Sequence, residues 1–155
     1  MLRLIAIATA ISGTLDILLA MILTVAFGRS IPDMLRFVAS GPFPAATQWG
    51  IAGALLGLAV HFMLMAVMAA IFVTAARARP QLLETPWRTA IAYGIVTYFA
   101  MNWVVVPLRF HTPLPPKPLS VATQLFAHLV LVGMVFAFVA RRSFAPTSAY
   151  IRPKP

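Results

Sequence analysis

The chain has 155 residues, of which 61% are hydrophobic and 10% charged, and its Lys and Arg residues outnumber Asp and Glu by 12 to 3. A mean hydropathy of +0.92 excludes a soluble globular domain and predicts an integral membrane protein. Its basic residues flank the apolar spans, so we expect them to anchor the chain at the membrane and not to bind nucleic acid. Cysteine is absent, which excludes disulfides and thiolate metal sites.

Four apolar runs predict membrane-spanning helices, because each has the roughly 20 residues that cross a hydrocarbon core of about 30 Å. They cover residues 4–27, 49–76, 89–108 and 119–140. We therefore expect an all-α, integral membrane four-helix bundle formed by residues 1–142, followed by a basic, disordered cytoplasmic tail at 143–155. The first run follows Arg3 as a signal peptide would, but it is longer than a usual signal and carries Asp16 at its centre, so we expect a retained helix.

The loop after the first run, GRSIPDMLRFVASGPFP, predicts a short helix of its own. Ser30 is a suitable cap, and Pro32 fits the first helical turn. One face of this helix is then apolar, so it is expected to lie in the membrane interface; the face comprises Ile31, Met34, Leu35 and Val38. Two roles remain open for it: it either fills space over the bundle or acts as a gating lid.

Basic residues indicate the orientation. The N-terminus, the loop after the second run and the tail carry eight of them: Arg3, Arg77, Arg79, Arg88, Arg141, Arg142, Arg152 and Lys154. The other two loops carry four: Arg29, Arg36, Arg109 and Lys117. Because Lys and Arg are enriched on the cytoplasmic side, we expect a multi-pass protein of the bacterial inner (cytoplasmic) membrane with both termini in the cytoplasm.

Each predicted spanning helix carries one strongly polar residue at a similar depth. These residues are Asp16, His61, Asn102 and His128, which lie 13 to 16 positions from the arginine expected at the cytoplasmic end of each helix, namely Arg3, Arg77, Arg88 and Arg141. At 1.5 Å per residue, this places all four side chains roughly 20 to 24 Å from those arginines. An ionised Asp exposed to hydrocarbon costs at least about 2.5 to 3.5 kcal/mol, so Asp16 is expected to have a partner in this layer.

Residue spacing predicts that the polar layer faces the bundle interior. Small residues at Gly50, Gly53 and Gly57 precede His61 by multiples of about four and suit close helix contact, within one chain or between copies. Gly94 and Tyr98 share a face with Asn102, and Ser120 and Gln124 share one with His128. We therefore predict packing roles for the glycines and supporting roles in the layer for Tyr98, Gln124 and Asn102.

The layer has several interpretations. His61 and His128, on diagonal helices, could ligate a b-type haem, or with Asp16 could bind Zn²⁺, Fe²⁺ or Mn²⁺. The alternatives are a hydrogen-bonded network that only fixes helix packing, or a proton or small-solute pathway in an oligomer. Sequence motifs for enzyme activity are lacking. Met63, Met65 and Met68 do not share one helical face with His61, so they are expected to serve packing and lipid contact rather than copper binding.

Several segments together resemble a known group of proteins. The segments SGTLDI, LGLAVHF, AYGIVTYFAMNWVVVPL and AHLVLVG, followed by RR, are similar to those of small uncharacterised bacterial inner-membrane proteins with four predicted helices. The resemblance covers residues 13–142. It implies the four-helix architecture and the inner-membrane location, and it singles out Asp16, His61, Tyr93, Gly94, Asn102, Pro107 and His128. It implies no activity, and the small-molecule ligand and the oligomeric state stay open.

Overall fold

A computed structural model describes residues 1–144 of the chain. Over these residues the protein forms five helices: α1 (Leu2–Ala26), α2 (Ile31–Ala39), α3 (Gly50–Ala78), α4 (Pro86–Phe110) and α5 (Pro118–Phe144). All but α2 are long and apolar enough to cross a membrane. The predicted all-α fold with four spanning helices and one short helix in the first long loop is confirmed.

Prolines determine where the spanning helices begin and end. Pro86 and Pro118 occupy the first positions of α4 and α5, where a missing N–H costs nothing. Pro80 follows the last residues of α3 and starts a short turn, Pro80–Leu83, since proline cannot continue the helix. The last helix runs to Phe144, so two residues assigned to the tail are helical; the rest of that predicted tail, 145–155, lies outside the described residues.

The bundle is closely packed at the end that carries Met1 and Phe144, here called the terminal half. Alanines with almost no exposed surface line its helix contacts: Ala8, Ala69, Ala76, Ala90, Ala137 and Ala140. Phe72 and Phe136 fill the space between them and lie with Tyr93 in one aromatic cluster. Small side chains allow this close approach, because lipid is as apolar as the core and packing must supply the attraction between helices.

Among the spanning helices, α4 and α5 come into close backbone contact. A Cβ atom added to Gly133 would lie 2.2 Å from the Ala90 carbonyl oxygen, and one added to Gly94 would lie 2.6 Å from the His128 carbonyl oxygen. Neither position has room for a side chain without moving backbone. The predicted packing role of Gly94 is therefore explained by the approach of α5.

The short helix α2 packs on α3, at the end of the bundle opposite the termini, here called the α2 half. Leu35 is buried there and lies with Ile17 and Ala54 in a second apolar cluster. A Cβ on Gly57 would lie 1.8 Å from the Leu35 carbonyl oxygen, and one on Gly53 would lie 2.3 Å from that of Ala46. The glycine face of α3 thus receives α2 and the turn after it.

Gly53 and Gly57 meet α2 and the turn after it within one chain, so the close contact predicted at these two glycines is made inside the chain. A Cβ atom added to Gly50 would meet no atom within 4 Å, and its φ is +54°, so Gly50 starts α3 from a left-handed conformation. Ser30 does precede α2, but its hydroxyl makes no capping hydrogen bond.

Candidate functional site

A cavity of about 500 Å³ lies in the α2 half, and all five helices contribute to its wall. Most of the wall is apolar. Its exceptions include all four residues of the predicted polar layer, together with Gln124 and Arg109. The structure therefore places Asp16, His61, Asn102 and His128 around one space, although they approach each other as two separate pairs.

The first pair joins α1 to α3. His61 is buried, and its Nε2 lies 2.9 Å from the carbonyl oxygen of Gly13. A carbonyl only accepts, so this nitrogen carries the hydrogen and donates. The other ring nitrogen, Nδ1, then faces Asp16, 3.9 Å from its Oδ2. That distance is too long for a direct hydrogen bond, so the two groups are neighbours with a gap between them.

The second pair joins α4 to α5. The Thr97 hydroxyl lies 3.0 Å from the Tyr93 carbonyl oxygen, to which it donates, and 3.1 Å from Nδ1 of His128. It must therefore accept from His128, which fixes the hydrogen on Nδ1 and leaves Nε2 as an acceptor. The Asn102 amide donates to the Tyr98 carbonyl oxygen at 3.2 Å and lies 3.5 Å from that Nε2. Thr97 as the partner of His128 was missed by the sequence analysis, although its spacing from Tyr93 is helical.

Asn102 and His128 of the second pair lie in segments that depart from regular α-helix. Residues Ala100–Val105 of α4 and Ala127–Met134 of α5 form π-helical turns, and they contain Asn102 and His128 respectively. A π turn is wider than an α turn and changes the direction of the side chains that follow; such turns are frequent at functional sites. Sequence periodicity gives no signal for them, because it assumes 3.6 residues per turn.

The two other residues predicted to support the layer have different positions. Tyr98 is 3% exposed, presents its ring edge to His128, and has its hydroxyl 3.4 Å from the Trp103 indole nitrogen. Tyr98 therefore packs against His128 and supports its position in the site. Gln124 lies on the cavity wall, one helical turn from His128, whereas Ser120 on the same predicted face is exposed.

Five of the eight methionines line the cavity: Met34, Met63, Met65, Met68 and Met101. The sequence analysis assigned Met63, Met65 and Met68 to packing and lipid contact because they do not share one face of α3. That assignment is incomplete, since all three reach the cavity wall, although Met63 is also 56% exposed. Flexible thioether side chains suit an apolar wall that adapts to the shape of its contents.

The cavity opens sideways between α3 and α4. Met63 and Leu64 on α3 and Val105 on α4 are at once part of the wall and exposed on the apolar surface, which marks them as its rim. Nearer the termini this seam is closed, because the Tyr93 hydroxyl donates to the Met68 carbonyl oxygen at 2.7 Å. Phe37 on α2 also lines the wall and is exposed, so the rim is apolar throughout, which is compatible with contact to a lipid bilayer.

Helix α2 forms the roof of the cavity and is fastened to the end of α4. The Arg109 guanidinium donates to the carbonyl oxygens of Gly41 and of Ser40, the latter at 2.7 Å. These carbonyls lie at the C-terminal end of α2, where a cation is favoured by the helix dipole. Phe37 and Phe110 stack beside them with ring centroids 4.3 Å apart.

The predicted metal ligands share the cavity but do not converge. Within residues 1–144 no three His, Asp or Glu side chains come close enough together to hold a metal ion. His61 lies beside Asp16, and His128 is held by Thr97 and Asn102. The predicted three-residue metal site therefore gains no ligand cluster from the fold, and haem ligation by His61 and His128 stays a prediction.

Comparison with known proteins adds no identification. No family model, curated protein or solved structure matches the chain. The resemblance to small four-helix bacterial membrane proteins accordingly stays a prediction, and the function has to be argued from the cavity itself.

Proposed function

We propose that this protein binds a membrane amphiphile in the cavity of the α2 half. The molecule enters from the bilayer between α3 and α4, and its polar end meets the polar layer formed by Asp16, His61, Asn102 and His128. One observation carries the proposal: four spanning helices place polar side chains on the wall of an otherwise apolar cavity, and the rim of that cavity is apolar and exposed on the outer surface of the bundle.

A layer that served only to fix helix packing is less consistent with this geometry. Helix packing accounts for the hydrogen bonds of His61 to Gly13 and of His128 to Thr97. It does not account for Asp16, which remains 3.9 Å from His61 on the cavity wall. A mostly apolar space of about 500 Å³ that opens to the surface is expected to be filled by a molecule from the bilayer.

The volume limits the size of the part that is bound. Water occupies roughly 30 Å³ per molecule in the liquid, so the cavity has room for about 17 atoms of similar size. That suffices for a small polar head and the first part of a hydrocarbon or isoprenoid chain. The remainder of the chain would pass between Met63 and Val105 into the bilayer.

The same proposal includes the location and orientation, namely the bacterial inner membrane with both termini in the cytoplasm. Arginines at the α2 half are engaged by the protein: Arg36 pairs with Asp33, and Arg109 binds the end of α2. The orientation itself is supported by the count of eight Lys and Arg residues against four, which is the quantity that the positive-inside rule uses. The cavity would then lie in the outer half of the bilayer.

Two adjacent valines allow a direct test of the binding proposal. Val105 is 44% exposed and lines the cavity, while Val104 is 50% exposed and does not. Native mass spectrometry of wild-type protein, extracted in a mild detergent, is expected to show a co-purifying amphiphile. Val105→Trp should fill the opening and reduce the bound fraction at least several-fold, whereas Val104→Trp should leave it unchanged.

Two results would count against the proposal. One is wild-type protein that carries no bound molecule even when purified in nanodiscs of its host lipids. The other is an equal bound fraction in the Val105→Trp and Val104→Trp variants, which would place any bound lipid on the outer surface and not in the cavity.

A further inference from the structure

We infer that the polar end of the bound amphiphile is a hydroxyl group, as in a long-chain alcohol or phenol, and that it inserts between Asp16 and His61. This inference rests on the proposed function and specifies its ligand. It concerns the first polar pair, which differs from the second in having an open gap between two hydrogen-bonding atoms.

One oxygen atom can bridge these two atoms from the cavity side. Oδ2 of Asp16 and Nδ1 of His61 are 3.9 Å apart. An oxygen about 2.8 Å from both lies roughly 2 Å to the side of the line that joins them, with an angle of about 90° at the oxygen. The Nε2 of His61 is committed to the Gly13 carbonyl, so Nδ1 is the ring nitrogen that serves the cavity.

The chemistry of the pair selects a group that both donates and accepts. A carboxyl group beside an imidazole can offer a shared ligand both a donor and an acceptor. A hydroxyl satisfies both at once, because it has one hydrogen and two lone pairs. An ether oxygen only accepts and leaves one member unpaired.

Anionic head groups are disfavoured by the positions of the charges. Of the residues within 1–144 that line the cavity, Arg109 is the one Lys or Arg. Its guanidinium is occupied by the carbonyls of Ser40 and Gly41 at the roof. A phosphate or carboxylate head group next to Asp16 would therefore lie beside another acidic group. The described wall residues offer no free Lys or Arg side chain to offset the charge of the head group.

The test compares 4-decylphenol with its methyl ether, 4-decylanisole, which keeps the ring, the chain and the oxygen but lacks the hydrogen. Binding is measured on wild-type protein in phosphatidylcholine nanodiscs, with empty nanodiscs subtracted and concentrations expressed per bilayer volume. We expect the phenol to bind about tenfold more tightly or better, since a hydrogen bond to a charged partner is lost in the ether.

Two α1 variants locate the effect. In Asp16→Leu the phenol-to-ether preference should fall close to one, whereas Thr14→Leu, an exposed position on the same helix, should keep it. The preference is a ratio, so loss of protein in a variant does not imitate the result, and the wild-type comparison needs no variant.

The outcomes separate the two proposals. Equal binding of phenol and ether to the wild type, blocked in both cases by Val105→Trp, overturns the hydroxyl inference and leaves amphiphile binding standing. A preference for phenol that survives in Asp16→Leu also overturns it. If neither probe binds the wild type but a co-purified amphiphile is displaced by Val105→Trp, the hydroxyl inference alone is overturned. If neither probe binds and no such amphiphile co-purifies, both proposals are overturned.

Discussion

The two halves of the bundle use small residues for different purposes. In the terminal half, buried alanines and Gly133 bring the spanning helices together around Phe72 and Phe136. In the α2 half, Gly53 and Gly57 let the short helix α2 approach α3 instead, while α3 and α4 separate around a cavity. The difference indicates that one half supplies the stability of the fold and the other half supplies the site.

The largest effect on stability is expected from Gly133→Ala, which disturbs the packing of the terminal half. The new methyl group would meet the Ala90 carbonyl, and the backbone of α4 and α5 would have to separate. We expect a loss of about 3 kcal/mol in the free energy of unfolding, the upper range for overpacking, measured by unfolding in mixed micelles. Ala122→Val at an exposed position of α5 is the control. An equal loss in both variants would contradict the packing argument.

A smaller effect on the free energy of unfolding is expected from Gly57→Ala, which disturbs the contact between α2 and α3. The methyl group would displace the Leu35 carbonyl, so α2 should detach while the spanning helices stay together. We expect a loss of about 2 kcal/mol. The chain has no cysteine, so a single Leu35→Cys change reports detachment through faster thiol labelling. Unchanged labelling, or the same increase with the exposed control Ala59→Val, would contradict this assignment.

A still smaller effect on stability is expected from Arg109→Met, which removes the hydrogen bonds to the end of α2. These bonds lie in a partly exposed place, so we expect about 1 kcal/mol. The exchange rate of 4-decylphenol should rise, because the roof opens more often. The control is Arg29→Met at an exposed position, and equal exchange rates in the two variants would show that the roof does not control access.

The smallest effect is expected from Ser12→Ala in the packed half. The Ser12 hydroxyl is fully buried and donates to the Leu131 carbonyl oxygen at 2.6 Å. Hydrogen bonds between membrane helices contribute about 0.6 kcal/mol on average, so the melting temperature should change only slightly. A loss as large as that of Gly133→Ala would mean that polar contacts, and not close packing, hold the terminal half together.

The sequence allowed the spanning helices and α2 to be predicted because hydropathy and proline positions are local signals. The shared depth of Asp16, His61, Asn102 and His128 also followed from counting residues. The pairing of these residues did not, because it depends on which helix faces which and on side-chain tautomers. Thr97 was overlooked for the same reason: a threonine that donates to its own helix looks unremarkable until His128 is placed beside it.

The metal interpretation remains a prediction with a direct measurement. Inductively coupled plasma mass spectrometry compares wild-type protein with a His61→Ala, His128→Ala double variant. Because the two histidines belong to separate pairs, we expect no stoichiometric Zn, Fe or Mn that depends on both. A stoichiometric metal lost in the double variant would replace the amphiphile proposal with a ligand set assembled across the cavity.

The π turns in α4 and α5 change which residues share one face of each helix. Each such turn holds about one residue more than an α turn needs, so it acts as an insertion that the fold has absorbed. Residues on the two sides of the turn are out of phase by roughly 100°. Deleting one residue from 127–134 should therefore leave a continuous helix but rotate Gln124 and its neighbours away from the cavity. The site depends on a change of phase within a helix as well as on the side chains that the helix carries.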